Sequence, residues 1–179
     1  MQHLHIILCH RIHLLYCWQQ TPSSLNKIFM ITLKRTDSEN LDFIELVKFL
    51  DADLAERDGD EHSFYDQFNK IDKIKYVIVA YENEQAVSCG AIKEFSPHIM
   101  EVKRMFTLPV SRGKGIASGI LGELETWANE LGYSKCILET GKKQPEAIKM
   151  YQKNGYKMVQ NYGQYAQAEN SLCFEKELK

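Results

Sequence analysis

The chain has 179 residues, 44% of them hydrophobic and 26% charged, a composition that suits one globular domain with a single sizeable core. Its formal net charge of −2 argues against nucleic acid as the main partner, because a phosphate-binding surface normally carries an excess of basic residues. Five cysteines occur without a C-x-x-C pair, which favours reduced thiols and therefore a cytoplasmic protein.

Residues 1–29 differ in composition from the rest of the chain. They are largely apolar and hold four of the six histidines, His3, His5, His10 and His13. The segment is too short and too interrupted to span a membrane, which takes about 20 apolar residues. It lacks the basic start and cleavage site of a signal peptide, and its histidine and cysteine spacings match no zinc pattern. We therefore expect an extension outside the functional domain, which would span residues 30–179, and we expect no metal and no membrane partner.

The sequence of the first half of that domain predicts antiparallel strands with helices between the first two of them. Alternating residues predict a strand over 31–35, and an apolar stripe with helical spacing predicts a helix over 41–57. A turn ends this helix, and a shorter helical piece with three aromatic residues follows over 61–69. Three further strands are predicted, the first two forming a hairpin, over 76–81, 86–95 and 100–108.

The second half of the domain alternates helices and strands. An apolar stripe predicts a helix over 116–131, and Gly132 supplies a stop for it. The remaining elements are a strand over 135–139, a helix over 145–154 and two strands over 156–160 and 171–176. This order predicts a mixed α/β fold.

The sequence S-R-G-K-G stands directly ahead of the 116–131 helix and places two glycines and two basic residues at its N-terminus. Unpaired N–H groups and partial positive charge make a helix start an anion site, and glycines let the backbone approach a phosphate closely. Arg112 and Lys114 add positive charge. A tight turn in which Gly113 and Gly115 only supply positive φ angles would explain the same residues.

Two well-known phosphate-binding motifs match this stretch incompletely. It is not a P-loop, because G-x-x-x-x-G-K-[ST] is absent. The Rossmann pattern fits in part, since Gly113-Lys-Gly115 reads G-x-G and Glu139 ends the next strand, near the place of a ribose-binding acid. However, Ser118 stands at the third glycine position, and the stretch follows a hairpin late in the chain.

A third motif fits better. The residues Arg112-Gly-Lys-Gly115-Ile-Ala117 match [QR]-x-x-G-x-[GA], and the later stretch QPEAIKMYQKNGY is similar to N-x-x-A-x-x-x-Y-x-x-x-G-[FY]. Through both motifs, in this order and at this separation, the sequence resembles the GNAT N-acetyltransferase family over residues 31–176. Gln144 stands where the family usually has asparagine. The resemblance implies a mostly antiparallel central sheet flanked by about four helices.

The resemblance also implies acetyl-CoA as the co-substrate. The pantetheine arm and thioester would lie along backbone groups of Met105, Phe106 and Thr107, and Gln144 would add a contact. The pyrophosphate would be wrapped by Arg112, Gly113, Lys114, Gly115, Ile116 and Ala117. The interpretation of Gly113 and Gly115 as part of an anion site agrees with this resemblance, because a diphosphate can accept hydrogen bonds from the N–H groups at a helix start.

Transfer of an acetyl group to an amine needs a base, a donor to the oxyanion and an acid for the leaving thiolate. Tyr151 resembles the family's frequent general acid, although an aromatic residue on an amphipathic helix also suits a core. Glu101 and Glu139 are candidate bases, because some family members carry a catalytic glutamate at each place and an unpaired carboxylate in an apolar strand is costly. Each could instead be a structural acid paired with Lys103 or Arg104.

The acceptor is less well indicated by the sequence. Arg104 or Lys103 could pair with a substrate carboxylate, which favours a small amino-acid-like amine, though both also suit a solvated strand end. Tyr162, in the aromatic loop 161–166, could close over an acceptor or only anchor the loop. Two alternatives stay open: a non-catalytic acyl-CoA-binding sensor or scaffold, and a protein or peptide N-acetyltransferase. The polar candidates for acid and base favour catalysis on a small-molecule amine, by a monomer or a homodimer.

Overall fold

The computed structural model of the protein describes residues 30–72 and 74–179, so the expected extension at 1–29 lies outside the described residues. Within those ranges the chain forms seven strands and four α-helices. The strands are β1 (Ile31–Thr36), β2 (Tyr76–Glu82), β3 (Gln85–Ser96), β4 (Ile99–Thr107), β5 (Lys135–Gly141), β6 (Lys157–Val159) and β7 (Ser171–Glu177). The helices are α1 (Leu41–Asp58), α2 (His62–Asp66), α3 (Ile116–Glu130) and α4 (Pro145–Lys153). Over these two ranges, no helix has the length and apolar character that crossing a membrane requires.

The predicted elements are all present, and the mixed α/β fold is confirmed. The largest difference concerns the helical piece expected over 61–69, of which only α2 is α-helical. Beyond α2 the N–H groups of Phe68 and Asn69 donate to carbonyls three residues back, at 3.0 Å each, which tightens the chain into turns. The side-chain amide of Gln67 donates to the Phe64 carbonyl at 2.8 Å and so competes for a helical acceptor.

The seven strands form one sheet in the order β1-β2-β3-β4-β5-β7-β6. Among the described strands, β4 and β5 form the one parallel pair, and all other neighbours are antiparallel. The expectation of a mostly antiparallel sheet is therefore confirmed. The connection between β4 and β5 contains α3, as a parallel pair requires a long crossover.

Apolar side chains cover both faces of the sheet. Helix α1 begins at an Asn40 cap, whose side chain accepts the Phe43 N–H at 2.9 Å, and its buried stripe lies on one face. This core contains Phe43, Leu46, Val47, Leu50, Val77, Val79, Ala91 and Phe106. Helices α3 and α4 lie on the other face, in a core that contains Ile78, Ile92, Met100, Ile120, Leu121, Leu124, Leu138, Tyr151 and Phe174. The sheet therefore lies between two layers of buried side chains.

The parallel strands β4 and β5 pair only at their first residues, where Ile99, Met100 and Glu101 lie opposite Lys135, Cys136 and Ile137. Beyond this point β4 stays beside β3 while β5 stays beside β7, so the two strands separate. The separation opens a gap in the middle of the sheet, and the second half of β4 borders it.

A β-bulge lies in this second half of β4. Cys89 is opposite Phe106 and Ala91 is opposite Lys103, so Gly90 faces both Arg104 and Met105. Arg104 has a φ angle of 57°, which is unusual for a residue with a side chain. A Cβ atom on Gly90 would lie 2.3 Å from the Met105 sulfur and 2.8 Å from Ile120 Cγ2, so a glycine is required for this approach. Bulges of this kind re-aim backbone groups next to a site.

Candidate functional site

The loop before α3 is shaped to receive an anion. Gly113 and Gly115 have φ angles of 79° and 80°, and Gly115 is the N-cap of α3. Gly115 has no side chain that could cap this helix start, and the first residues of α3 line a cleft, with the positive end of the helix dipole behind them. The second reading of the glycines, as plain turn residues, describes their φ angles but not this opening.

The two basic residues of the loop have different roles. The guanidinium of Arg112 donates from Nε to the Thr107 carbonyl at 3.0 Å and lies 5.9 Å from the centre of the Phe106 ring. The ammonium of Lys114 instead bonds both carboxylate oxygens of Glu82, at 2.6 and 2.9 Å. Arg112 therefore lies at the cleft, and Lys114 ties the loop to the end of β2.

A cleft of about 390 Å³ runs from this loop along β4 to α4. Its volume is within the usual range for small-molecule sites. It is lined by nine of the predicted cofactor residues: Met105, Phe106, Thr107, Arg112, Gly113, Gly115, Ile116, Ala117 and Gln144. The tenth, Lys114, makes the Glu82 contact described above.

A second pocket lies on the α1 and α2 side of the gap between β4 and β5. Its wall includes Lys103 and Glu139 from the strands, Asp58 from α1, and the tyrosines Tyr65 and Tyr165. The two pockets share Leu50, Met105, Gln144 and Tyr151, so they meet where the strands separate. The two pockets therefore share a wall at this point.

Tyr151 lies at this junction. It is on the buried face of α4 and is 5% exposed, with its ring 5.8 Å from Tyr156 and 6.2 Å from Phe174. Burial raises the pKa of its hydroxyl well above the usual value, and the nearby Glu139 carboxylate raises it further. Tyr151 is thus a core residue whose hydroxyl has a raised pKa, and packing in the core does not exclude a role as general acid.

Glu139, on β5, lines the second pocket together with the carboxylates of Asp58 and Glu61. Its Oε1 accepts a hydrogen bond from the Ser171 hydroxyl at 2.6 Å. Burial raises the pKa of Glu139 to about 7, against the lowering effects of Ser171 and Lys103. A carboxylate with a pKa near neutrality is suited to exchange protons at physiological pH.

Glu101 is more deeply placed and is 7% exposed. Its Oε1 is 3.6 Å from the Lys103 ammonium and has no hydrogen-bond partner among the described residues. As far as the described residues go, it lines neither pocket. Lys103 itself also lies 3.2 Å from the Tyr165 hydroxyl. The structure therefore separates the two candidate bases, with one at the pocket and one behind Lys103.

The two predicted acceptor contacts are placed differently from each other. The Arg104 guanidinium borders the second pocket, but it is 2% exposed and forms an ion pair with Asp51 on α1. The Tyr162 hydroxyl is buried, and its ring lies 5.2 Å from Phe95 and 6.1 Å from Tyr165. In this loop it is Tyr165 that lines the pocket.

Several residues of the second pocket were not singled out by the sequence analysis. They are Asp58, Glu61, Tyr65, Lys142, Lys143, Tyr165 and Asn170, and Ser171 stands behind them. The aromatic residues of the 61–69 segment and of the 161–166 loop were the available signals for two of them. Over residues 30–72 and 74–179, no group of three or more histidine, cysteine or acidic residues could hold a metal ion.

Comparison with known proteins gives a consistent result. The model of the acetyltransferase (GNAT) family matches residues 43–156, which is more than half of the chain. A relative from Azospirillum brasilense, named IAA acetyltransferase, is 37% identical over 102 residues, which cover 56% of this chain and 67% of that protein.

Two solved structures have the same fold. A putative acyl-CoA N-acyltransferase from Klebsiella pneumoniae is 28% identical, with a TM-score of 0.70 over 84% of this chain and 99% of the other. The PaiA N-acetyltransferase of Thermoplasma acidophilum, solved in complex with coenzyme A, is 17% identical, with a TM-score of 0.62 over 83% of this chain and 99% of the other. At that identity the second likeness concerns the fold alone.

Proposed function

This chain belongs to the acetyltransferase (GNAT) family, and on that premise we propose that it transfers the acetyl group of acetyl-CoA directly to a primary amine of a small molecule. The observation that carries the proposal is the meeting of two pockets at Tyr151 and Met105. One pocket has the features of an anion site, and the other contains a carboxylate whose pKa is about 7.

The first pocket fits acetyl-CoA in its residues. The diphosphate would meet the N–H groups at the start of α3 and the Arg112 guanidinium. The pantetheine arm would run along Met105, Phe106 and Thr107, where β4 has lost β5 as a neighbour and its backbone groups border the cleft. Gln144 lines the same cleft, which supports its proposed contact. The coenzyme A complex of the PaiA protein shows that a protein with this fold can hold such an occupant.

The second pocket suits a small amine. Its volume of about 90 Å³ supports a small acceptor group. Glu139 and Asp58 are positioned to attract an ammonium group. An acceptor carboxylate would meet Lys142 and Lys143 rather than Arg104 or Lys103, which are already paired with Asp51 and Glu101. These charges support an amino-acid-like acceptor.

The acceptor amine starts as an ammonium group, and its nitrogen loses two protons in total before it is an amide. A glutamate, Glu139 or Glu101, takes the first, which leaves a lone pair free to attack the thioester carbonyl carbon. Backbone N–H groups at the β4 bulge would stabilise the oxyanion that forms. When the C–S bond breaks, the Tyr151 hydroxyl protonates the sulfur, and the second amine proton restores the hydroxyl. The proton held by the glutamate leaves to solvent.

The test is a thiol-release assay with acetyl-CoA and a panel of small amines, amino acids and peptides. We expect release above the acceptor-free rate with at least one small amine, and most with amines that carry a carboxylate. A protein that acetyl-CoA stabilises but that releases no thiol with any acceptor would be an acyl-CoA sensor or scaffold. Release with peptides alone would favour the peptide N-acetyltransferase reading.

A further inference from the structure

The two candidate bases, the buried Glu101 and the half-buried Glu139, have unequal surroundings, and the difference involves β7. Glu139 lines the pocket and has a hydrogen-bond donor at 2.6 Å, the Ser171 hydroxyl. Glu101 lies behind the pocket wall beside Lys103. A carboxylate with a fixed donor on one oxygen presents its other oxygen in a defined direction.

Ser171 is itself held in place. It is 2% exposed, its N–H donates to the Ala168 carbonyl at 3.2 Å, and its carbonyl accepts from the Asn161 amide at 3.1 Å. The Tyr65 hydroxyl lies 3.3 Å from the same Ser171 oxygen. A serine hydroxyl has one proton, and the closer, charged acceptor is the Glu139 carboxylate.

We infer that Ser171 is a positioning residue whose hydroxyl holds the Glu139 carboxylate at the pocket so that Glu139, and not Glu101, receives the proton of the acceptor amine. The inference rests on the proposed function. Glu101 is then the counter-ion that keeps Lys103 in place. Ser171 acts through Glu139 and does not itself line the pocket, among the described residues.

The charged groups around Glu139 come from several elements. Glu101 and Lys103 face it from β4, Asp58 from α1, Glu61 from the turn before α2, and Lys142 and Lys143 from the loop after β5. The other titratable neighbours are Tyr65, Tyr151, Tyr162, Tyr165 and Cys173. Burial is the largest cause of the raised pKa of Glu139; Ser171 and Lys103 lower that pKa, whereas Glu101 and Asp58 raise it.

These opposite effects give opposite predictions for two variants. Loss of the Ser171 hydroxyl raises the pKa of Glu139, and loss of the Glu101 charge lowers it. A general base works only when ionised, so the acidic limb of the pH profile of kcat/KM follows the pKa of the base. We expect Ser171→Ala to move this limb up by about one pH unit, the scale of one lost hydrogen bond to a charged group. We expect Glu101→Gln to move it down and Glu139→Gln to remove it.

The matched control is Ser134→Ala, a change of the same kind at an exposed position just before β5, which should leave the limb in place. Where Ser171→Ala does not fold, Ser171→Cys keeps the volume and replaces the hydroxyl by a weaker donor, and the limb should again move up. A limb that Glu101→Gln removes, or that stays in place in the folded Ser171 variant, overturns the inference.

A second readout does not depend on turnover. The carboxyl carbon of Glu139 can be titrated by ¹³C NMR in protein labelled at glutamate, with the signal assigned through Glu139→Gln. Its midpoint should rise in the Ser171 variant and fall in Glu101→Gln, in step with the kinetic limb. If the wild type acetylates no amine, the proposed function fails, whatever the titration shows. If the wild type is active and the NMR midpoint moves without the limb, this inference alone fails.

Discussion

The most informative single change is Tyr151→Phe, which removes one hydroxyl at the junction of the two pockets. The ring contacts with Tyr156 and Phe174, at 5.8 and 6.2 Å, involve no atom that the substitution deletes. Because Tyr151 is 5% exposed and its hydroxyl is proposed to protonate the leaving sulfur, the change separates packing from chemistry.

The expected loss of rate follows from the proposed role of the hydroxyl as a general acid. General acid catalysis is typically worth about 10²–10⁴-fold in rate. Water that enters the junction could protonate part of the thiolate, so we expect kcat to fall at least about tenfold, or about 1.4 kcal/mol in the activation free energy. The KM for acetyl-CoA and the melting temperature should change little, because the ring keeps its place.

The assay is thiol release under acetyl-CoA saturation, with a melting curve of each variant. Tyr156→Phe is the matched control, since Tyr156 is buried in the same core and, among the described residues, lines neither pocket. It should keep the wild-type kcat. If Tyr151→Phe also turns over at the wild-type rate, Tyr151 only packs, and solvent or another group protonates the sulfur.

Three further predictions concern binding and stability. Acetyl-CoA should raise the melting temperature and NAD should not. A bound ligand at 100 times its Kd adds about 2.7 kcal/mol to the free energy of unfolding. Stabilisation by NAD alone would favour a dinucleotide site. A protein that starts at Met30 should fold and keep its activity, as measured by its melting curve and thiol release; aggregation or lost cofactor binding would show that residues 1–29 matter. Gly90→Ala should lower the free energy of unfolding by about 1–3 kcal/mol, because the new Cβ would meet the Met105 sulfur at 2.3 Å and Ile120 Cγ2 at 2.8 Å. The variant should also bind acetyl-CoA more weakly. An unchanged melting temperature would show that the bulge can adapt.

Much of the fold could be predicted from the sequence because its signals are local. Apolar periodicity located α1 and α3, and the glycines of the R-G-K-G motif located the loop that precedes α3, since both signals depend on residues that are close together in the chain. The helix predicted over 61–69 was too long. Its apolar spacing carries no sign that the Gln67 side chain would compete for a helical carbonyl.

The parts of the site that could not be predicted depend on contacts between distant residues. Nothing local indicates that Arg104 forms an ion pair with Asp51, 53 residues earlier. Because of this pair, we assign the proposed contact with a substrate carboxylate to Lys142 and Lys143 instead. Nor does anything local indicate the bond between Ser171 and Glu139, 32 residues apart, or the buried hydroxyl of Tyr162, whose ring lies 6.1 Å from that of Tyr165. Side-chain pairings of this kind are set by the tertiary fold, in which β7 lies beside β5.

The central claim is direct transfer of an acetyl group between the two pockets, and the fate of a labelled acetyl group tests it most directly. Acetyl-CoA with a ¹³C-labelled acetyl group is incubated with the protein and the best acceptor, and all products are identified by mass spectrometry. We predict that the label appears as an amide on the acceptor nitrogen, in the same amount as the thiol released. Label recovered mainly as acetate, or bound covalently to the protein before any reaches the acceptor, would contradict direct transfer.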